Sequence, residues 1–291
     1  MSWLVSFLIA ACENTPRSVA SRDFMKLLRR YAGIYWALVR YSVIHEMQFK
    51  LNFLLWIVVE GLWFALQLAF MTVLYGHTES IAGWSRWEVV LLLGCNQFVQ
   101  QLFHMLLVTN LANLSELVRK GTLDLLFLQP VNSRFLVSVK KFEIGNLANA
   151  LMGLAVVGWA LTRLGHAPSL AHWLGFIVVC LAGLAVHYSL MFLLACIAFW
   201  TVRAQGVVWG YYNLFNLARL PADAFPRGIY RAVFTWVLPM LLVSNVPARL
   251  LADKLAAPGD WLALVGMAIG CFGVSELVWR WSLKHYTSAS A

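Results

Sequence analysis

The feature that most constrains this chain is a recurrence of apolar runs at residues 51–75, 87–112, 142–162, 172–202 and 261–281. A helix that crosses a bilayer needs about 20 predominantly apolar residues. At 1.5 Å per residue the first run reaches about 37 Å, enough to cross with tilt. Composition agrees, with 61% hydrophobic and 12% charged residues and a mean hydropathy of +0.73. Soluble domains carry about 25% charged residues. The expected class is an all-α polytopic membrane protein.

The formal charge of +9 does not point to nucleic acid, because the basic residues flank apolar spans, where anionic lipid is the expected partner. The cysteines Cys12, Cys95, Cys180, Cys196 and Cys271 have no paired spacing, so neither a disulfide framework nor a metal site follows.

Residues 1–23 read as a loosely ordered extension. Ile9-Ala10-Ala11-Cys12 resembles a lipoprotein cleavage box, but a signal needs basic residues ahead of its apolar core, and the first here is Arg17. Two readings of these residues stay open, such an extension or a stretch upstream of a true start near Met25. Over 24–47, Phe24, Leu28, Tyr31, Tyr35, Leu38 and Val39 recur at helical spacing opposite Lys26, Arg29, Arg30 and Arg40, which predicts an amphipathic helix in the membrane surface.

The first span contains Glu60. A carboxylate in hydrocarbon costs about 2.5 kcal/mol or more, so Glu60 must face protein or water, or be protonated. The second carries Asn96, Gln97, Gln100, Gln101 and His104 on a stripe turned from lipid, either lining a path or bonding neighbouring helices. The packing role is favoured, and His104 reads as a satisfied interior histidine. The third begins with Glu143, Asn146 and Asn149, and Glu143 is expected to reach headgroups or pair with Lys140.

Between the second and third spans lies ELVRKGTLDLLFLQP, residues 116–130, an island that belongs in water or headgroups. Helical spacing pairs Glu116 with Arg119, and Lys120 with Asp124, on one short helix that Gly121 loosens or stops. Pro130 ends the next turn and a half. Arg134, Lys140 and Lys141 are placed at the entrance to the third span.

After residue 205 the pattern is broken. Residues 207–220 are short for a span, and Pro221, Pro226, Pro239 and Pro247 interrupt the apolar stretch that follows. Broken helices persist at membrane depth only where protein or water satisfies the freed backbone, so residues 229–246 are expected to re-enter the membrane from outside. Six spans place 15 Lys and Arg inside and 7 outside, which favours cytoplasmic termini.

The island resembles the cytoplasmic loop between the second and third membrane helices of type-2 ATP-binding cassette (ABC) permeases. Glu116, Arg119, Gly121, Leu123, Asp124 and Pro130 stand where that family has the same residue types, with Lys120 at a variable position. The resemblance implies a coupling helix seated in a cleft of a separate ATPase subunit, an interface helix before the first span, and re-entrant half-helices between the fifth and sixth.

It also implies domains at 24–50 (interface helix), 51–283 (one permease domain) and 284–291 (tail), in an exporter subunit of the cytoplasmic membrane that pairs with a second permease, the same chain or a related one. No Gly-x-x-x-x-Gly-Lys-Ser/Thr loop occurs, so no cofactor is expected on this chain. ATP and Mg belong to the partner ATPase. There is likewise no hydrolase motif, so this chain is not expected to be an enzyme. Two rivals stand. One is a proton-coupled secondary transporter using Glu60, Glu276 or His104, although no inverted repeat is visible. The other is a membrane scaffold without transport.

Overall fold

The computed structural model describes residues 21–201, 204–226, 228–254 and 259–286, and no side-chain placement for 21–24. The extension before Ser21, the face assigned to Phe24, the basic residues Arg203 and Arg227, and the tail beyond Tyr286 lie outside that description.

The helices in chain order are α1 (Ser21–Gln48), α2 (Lys50–Leu74), α3 (Arg86–Arg119), α4 (Leu123–Phe127), α5 (Ser133–Val139), α6 (Gly145–Leu164), α7 (Leu170–Phe199), α8 (Gln205–Leu214), α9 (Ile229–Val237), α10 (Met240–Leu251) and α11 (Gly259–Lys284). Among the described residues the only β pairing is one isolated bridge, Ile81 to Trp84. Five helices, α2, α3, α6, α7 and α11, are long and apolar enough to cross a membrane. The pair α9 and α10, bent by 81° at Leu238–Pro239, makes a sixth if counted as one broken span. Pro239 removes a backbone donor and forces Leu238 out of the helical region (φ −116°, ψ 73°), which accounts for the bend. Pro247, expected to interrupt, sits inside α10 without ending it. Residues 207–220 form α8 and a 3₁₀ turn, Phe215–Arg219, too short for the spanning set.

The core is built around α3 and α7. Val89 to Cys95 on α3 and Val186 to Phe192 on α7 are largely sealed, joined by Met240, Val243 and Val246 of α10. The α3–α6 crossing is close because both faces carry glycine: a Cβ on Gly153 would lie 2.8 Å from the Phe98 backbone nitrogen and 3.0 Å from the Gly94 oxygen. Small residues permit such approach where lipid gives helices no hydrophobic reason to associate. By contrast α2 is apolar over most of its surface and mostly bare, with Leu51, Leu62 and Val73 each more than 60% exposed, as suits a helix facing lipid or another membrane protein.

Helix α1 runs along one end of the bundle. Tyr31 is buried against Phe135 at 5.0 Å, edge to face, and Leu136 completes this small second cluster. Of the expected apolar face, Leu28, Tyr31 and Tyr35 pack into this cluster and Leu38 is half-buried, while Arg29, Arg30 and Arg40 are exposed.

Candidate functional site: the charged island and its anchors

Helix α3 does not stop where its apolar run ends. It passes a π turn, His104–Val108, and continues to Arg119. The π turn frees the Met105 carbonyl, which accepts from Glu143 N at 3.0 Å. Asn110 then brackets Lys141, donating to its carbonyl (2.6 Å) and accepting from its amide (2.7 Å). The end of α3 and the approach to α6 are thereby stitched together.

On the island, Glu116 pairs with Arg119 at 2.9 Å and with Lys120 at 2.8 Å. Gly121, at φ +66°, reverses the chain, as glycine does beyond a helix end. This corrects the expected Lys120–Asp124 helical pair: Asp124 belongs to the next helix, α4, and the residue facing Lys120 is Glu116. Leu114 and Leu123 are fully buried and root the island in the bundle, whereas Leu125 and Leu128 are 61% and 81% exposed. Arg119 and Lys120 are also more than half exposed. The turn after α4 is tied to α1 by Arg30, which donates to the Pro130 carbonyl at 3.0 Å, and by the Tyr31 hydroxyl, which accepts from Asn132 N at 3.1 Å. Phe127 meets Tyr286 at 6.0 Å, so α1, the island and the end of α11 share one end of the bundle.

Behind the island lies a residue that sequence reasoning misplaced. Arg134, expected as an entrance charge, is 2% exposed. It donates from Nε to the Tyr188 hydroxyl (3.0 Å) and from Nη2 to Ser275 Oγ (2.7 Å), pairs with Glu276, and lies over the rings of Phe192 and Phe272 at 4.5 and 4.6 Å. Ser138 Oγ is 2.9 Å from the same Tyr188 hydroxyl. One guanidinium thus ties α5 to α7 and α11. A buried charge needs such a complete set of partners. The only sequence signal was an Arg two residues after a helix cap, Asn132, which accepts from Phe135 N.

The membrane stripe is largely engaged in packing. Gln101 donates to Glu60 (3.1 Å), Asn96 accepts from Ser244 (2.6 Å), and Gln100 accepts from Arg219 (3.2 Å) and lies 3.5 Å from Asn216. His104 is 2.6 Å from Asn146 and 3.3 Å from Glu143. Gln97 is buried, and its amide nitrogen has no hydrogen-bond partner among the described residues. Glu143 does not pair with Lys140; it binds Thr109 (2.7 Å) and Lys141 (3.0 Å).

At the opposite end, Asp223 gathers Trp84 Nε1 (3.2 Å), Arg231 (3.0 Å) and Arg249 (2.5 Å), and Lys254 pairs with Glu88 (2.6 Å). Four of the basic residues expected outside, Arg219, Arg231, Arg249 and Lys254, therefore have polar or acidic partners.

The family model described as an ABC-2 family transporter protein matches residues 62–290. The chain belongs to this family. No curated protein matches it, and no solved structure does. As an ABC-2 family member it is a multi-pass membrane protein of an ABC transport system, a transport component and not itself the catalytic part. In this ABC-2 chain the matched stretch takes in the island, Arg134 with all its partners, and the bent pair α9–α10.

Proposed function

We propose that this chain is the permease subunit of an ABC exporter in the cytoplasmic membrane, with both termini cytoplasmic. It works beside a second permease, the same chain or a related one, and two ATPase subunits that bind ATP and Mg. Residues 116–130 are the grip for the ATPase. α1 is the interface helix, and the α9–α10 pair is the re-entrant element at the far side of the path.

The observation that carries this reading is the exposed set Arg119, Lys120, Leu125 and Leu128 on a rooted island. Apolar side chains rimmed by charge and turned outward at a helix end are what a protein partner covers. Closure of the ATPase dimer would push on the island, and its roots would carry the displacement inward. Leu114 and Leu123 pass it to α3, and Arg134 to α7 and α11. Packed helices respond to such a push by rocking as units.

For the proton-coupled alternative, Glu276 is held by Arg134 and Arg280, Glu60 by Gln101, and His104 by Asn146 and Glu143, so each proposed carrier has a polar or charged partner within the bundle. The deciding experiment is co-purification from native membranes in mild detergent. An ATP-hydrolysing subunit should come down with the chain, and ATP should drive substrate into inverted vesicles. Recovery of the chain with no such subunit, or uptake driven by a pH gradient without ATP, would refute the proposal.

A further inference from the structure

A cavity of about 490 Å³ opens between α1, the end of α3 and residues 130–144, the strap before α6. That volume lies within the range of about 300–1,000 Å³ typical of small-molecule sites. His45 and Glu46 line it from α1, Asn113 from the end of α3, and Lys140 and Lys141 from the strap, with Leu117 and Val137 as apolar wall. Neither Lys140 nor Asn113 has a side-chain hydrogen bond or ion pair among the described residues. Glu116, at the rim, is already engaged by Arg119 and Lys120, and Lys141 is shared with Glu143. Glu46, the acid facing the cavity from α1, is engaged by Gly145 N, from which it accepts at 3.3 Å.

The cavity also has a definite depth. Tyr41 of α1 lines it and is 66% exposed, and Ile44, one residue before His45, is 53% exposed. Two residues after α1 ends, the chain enters α2 through Leu51, Leu54 and Leu55, each more than half exposed. An unpaired ammonium beside bare apolar and aromatic side chains, at the point where a chain passes into hydrocarbon, is the environment of a phospholipid at the headgroup level.

We propose that this cavity binds one phospholipid of the surrounding leaflet, with Lys140 and Lys141 on its phosphodiester and its acyl chains lying along the bare apolar side chains at the start of α2. The site does not depend on whether an ATPase docks at the island.

The test uses the full-length chain in detergent, titrated with phosphatidylglycerol and followed by native mass spectrometry. Lys140 is exposed, so Lys140→Glu should fold, as a thermal melt would check. Lys284→Glu on α11 controls for general loss of positive charge. The wild type should retain one lipid, and Lys140→Glu should weaken retention about 5-fold or more, the factor given by about 1 kcal/mol per basic residue near an anionic lipid. Lys284→Glu should leave it unchanged. Equal retention by wild type and Lys140→Glu, or an equal loss in Lys284→Glu, overturns the proposal. A parallel arm adds inorganic phosphate: no displacement is expected, and full displacement would assign the cavity to a free anion, overturning the lipid reading.

Discussion

Arg134 and Glu276 stand 142 residues apart in the chain, yet they form an ion pair that is nearly closed to solvent, with Arg134 2% and Glu276 19% exposed. This contact joins the strap behind the island to the last spanning helix. Removing one partner of such a pair costs about 3–5 kcal/mol, because the other charge is left uncompensated. Arg134→Met is therefore expected to lower the melting temperature in detergent sharply. The double change Arg134→Met with Glu276→Leu should recover part of the loss. A double variant as unstable as the sum of the singles would show that the two residues do not act as a pair.

The island's exposed residues should behave in the opposite way. Leu128, 81% exposed, holds nothing together in the isolated chain. Leu128→Asp is expected to leave folding and membrane insertion unchanged while reducing ATPase co-purification at least 10-fold, as loss of an apolar anchor does at an interface. Arg119→Ala should act in the same direction. Unchanged recovery of the ATPase with both variants would remove the island from the interface.

The α3–α6 crossing offers a steric test with an internal control. A side chain on Gly153 meets backbone at 2.8 Å, whereas Gly158 on the same helix has nothing within 4 Å. Gly153→Val is expected to cost about 1–3 kcal/mol, the usual penalty of overpacking, or more if the backbones must part. Gly158→Val should be close to neutral. Thermal unfolding monitored by tryptophan fluorescence would compare the two.

Asp223 sets a pH dependence at the far end of the bundle. Burial tends to raise its carboxyl, but the Trp84 indole, Arg249 and Arg231 hold it below the ordinary value. A depressed folded-state pKa means stability that is fully present above the unfolded value, about 3.9. It is lost as pH falls through that value toward the lower folded one. Asp223→Asn should therefore be less stable than wild type at pH 7, and the gap should begin to close as pH falls through the unfolded value of about 3.9. Parallel melting curves across that interval would argue against the clamp.

Much of this architecture was legible because bilayer thickness imposes a length on each apolar run. The five spanning helices lie within a few residues of their expected positions, apart from α3, which continues beyond its apolar run to Arg119. Gly121 marked the island's turn because only glycine takes a positive φ freely. The 81° bend was announced by Pro239, while Pro247 showed that one proline need not end a helix whose neighbours hold it. Arg134 was not legible. A basic residue near the start of a span reads as a loop charge, and its partners Tyr188, Ser275 and Glu276 are local to nothing in its own segment. The same holds for Asn96, whose partner Ser244 sits on a helix 148 residues away. The π turn left no mark either, since its sequence, His104 to Val108, is ordinary for a membrane helix.

The bonds between α1 and the stretch that follows the island are spread along the helix. Arg30 holds Pro130, Tyr31 holds Asn132, Ser42 accepts from Phe142 N at 3.1 Å, and Glu46 accepts from Gly145 N. A rod pinned at one point pivots, but a rod pinned at both ends travels with whatever it is pinned to. Helix and strap therefore form a single stiff plate across one end of the bundle, and tilting either edge of that plate must tilt the other.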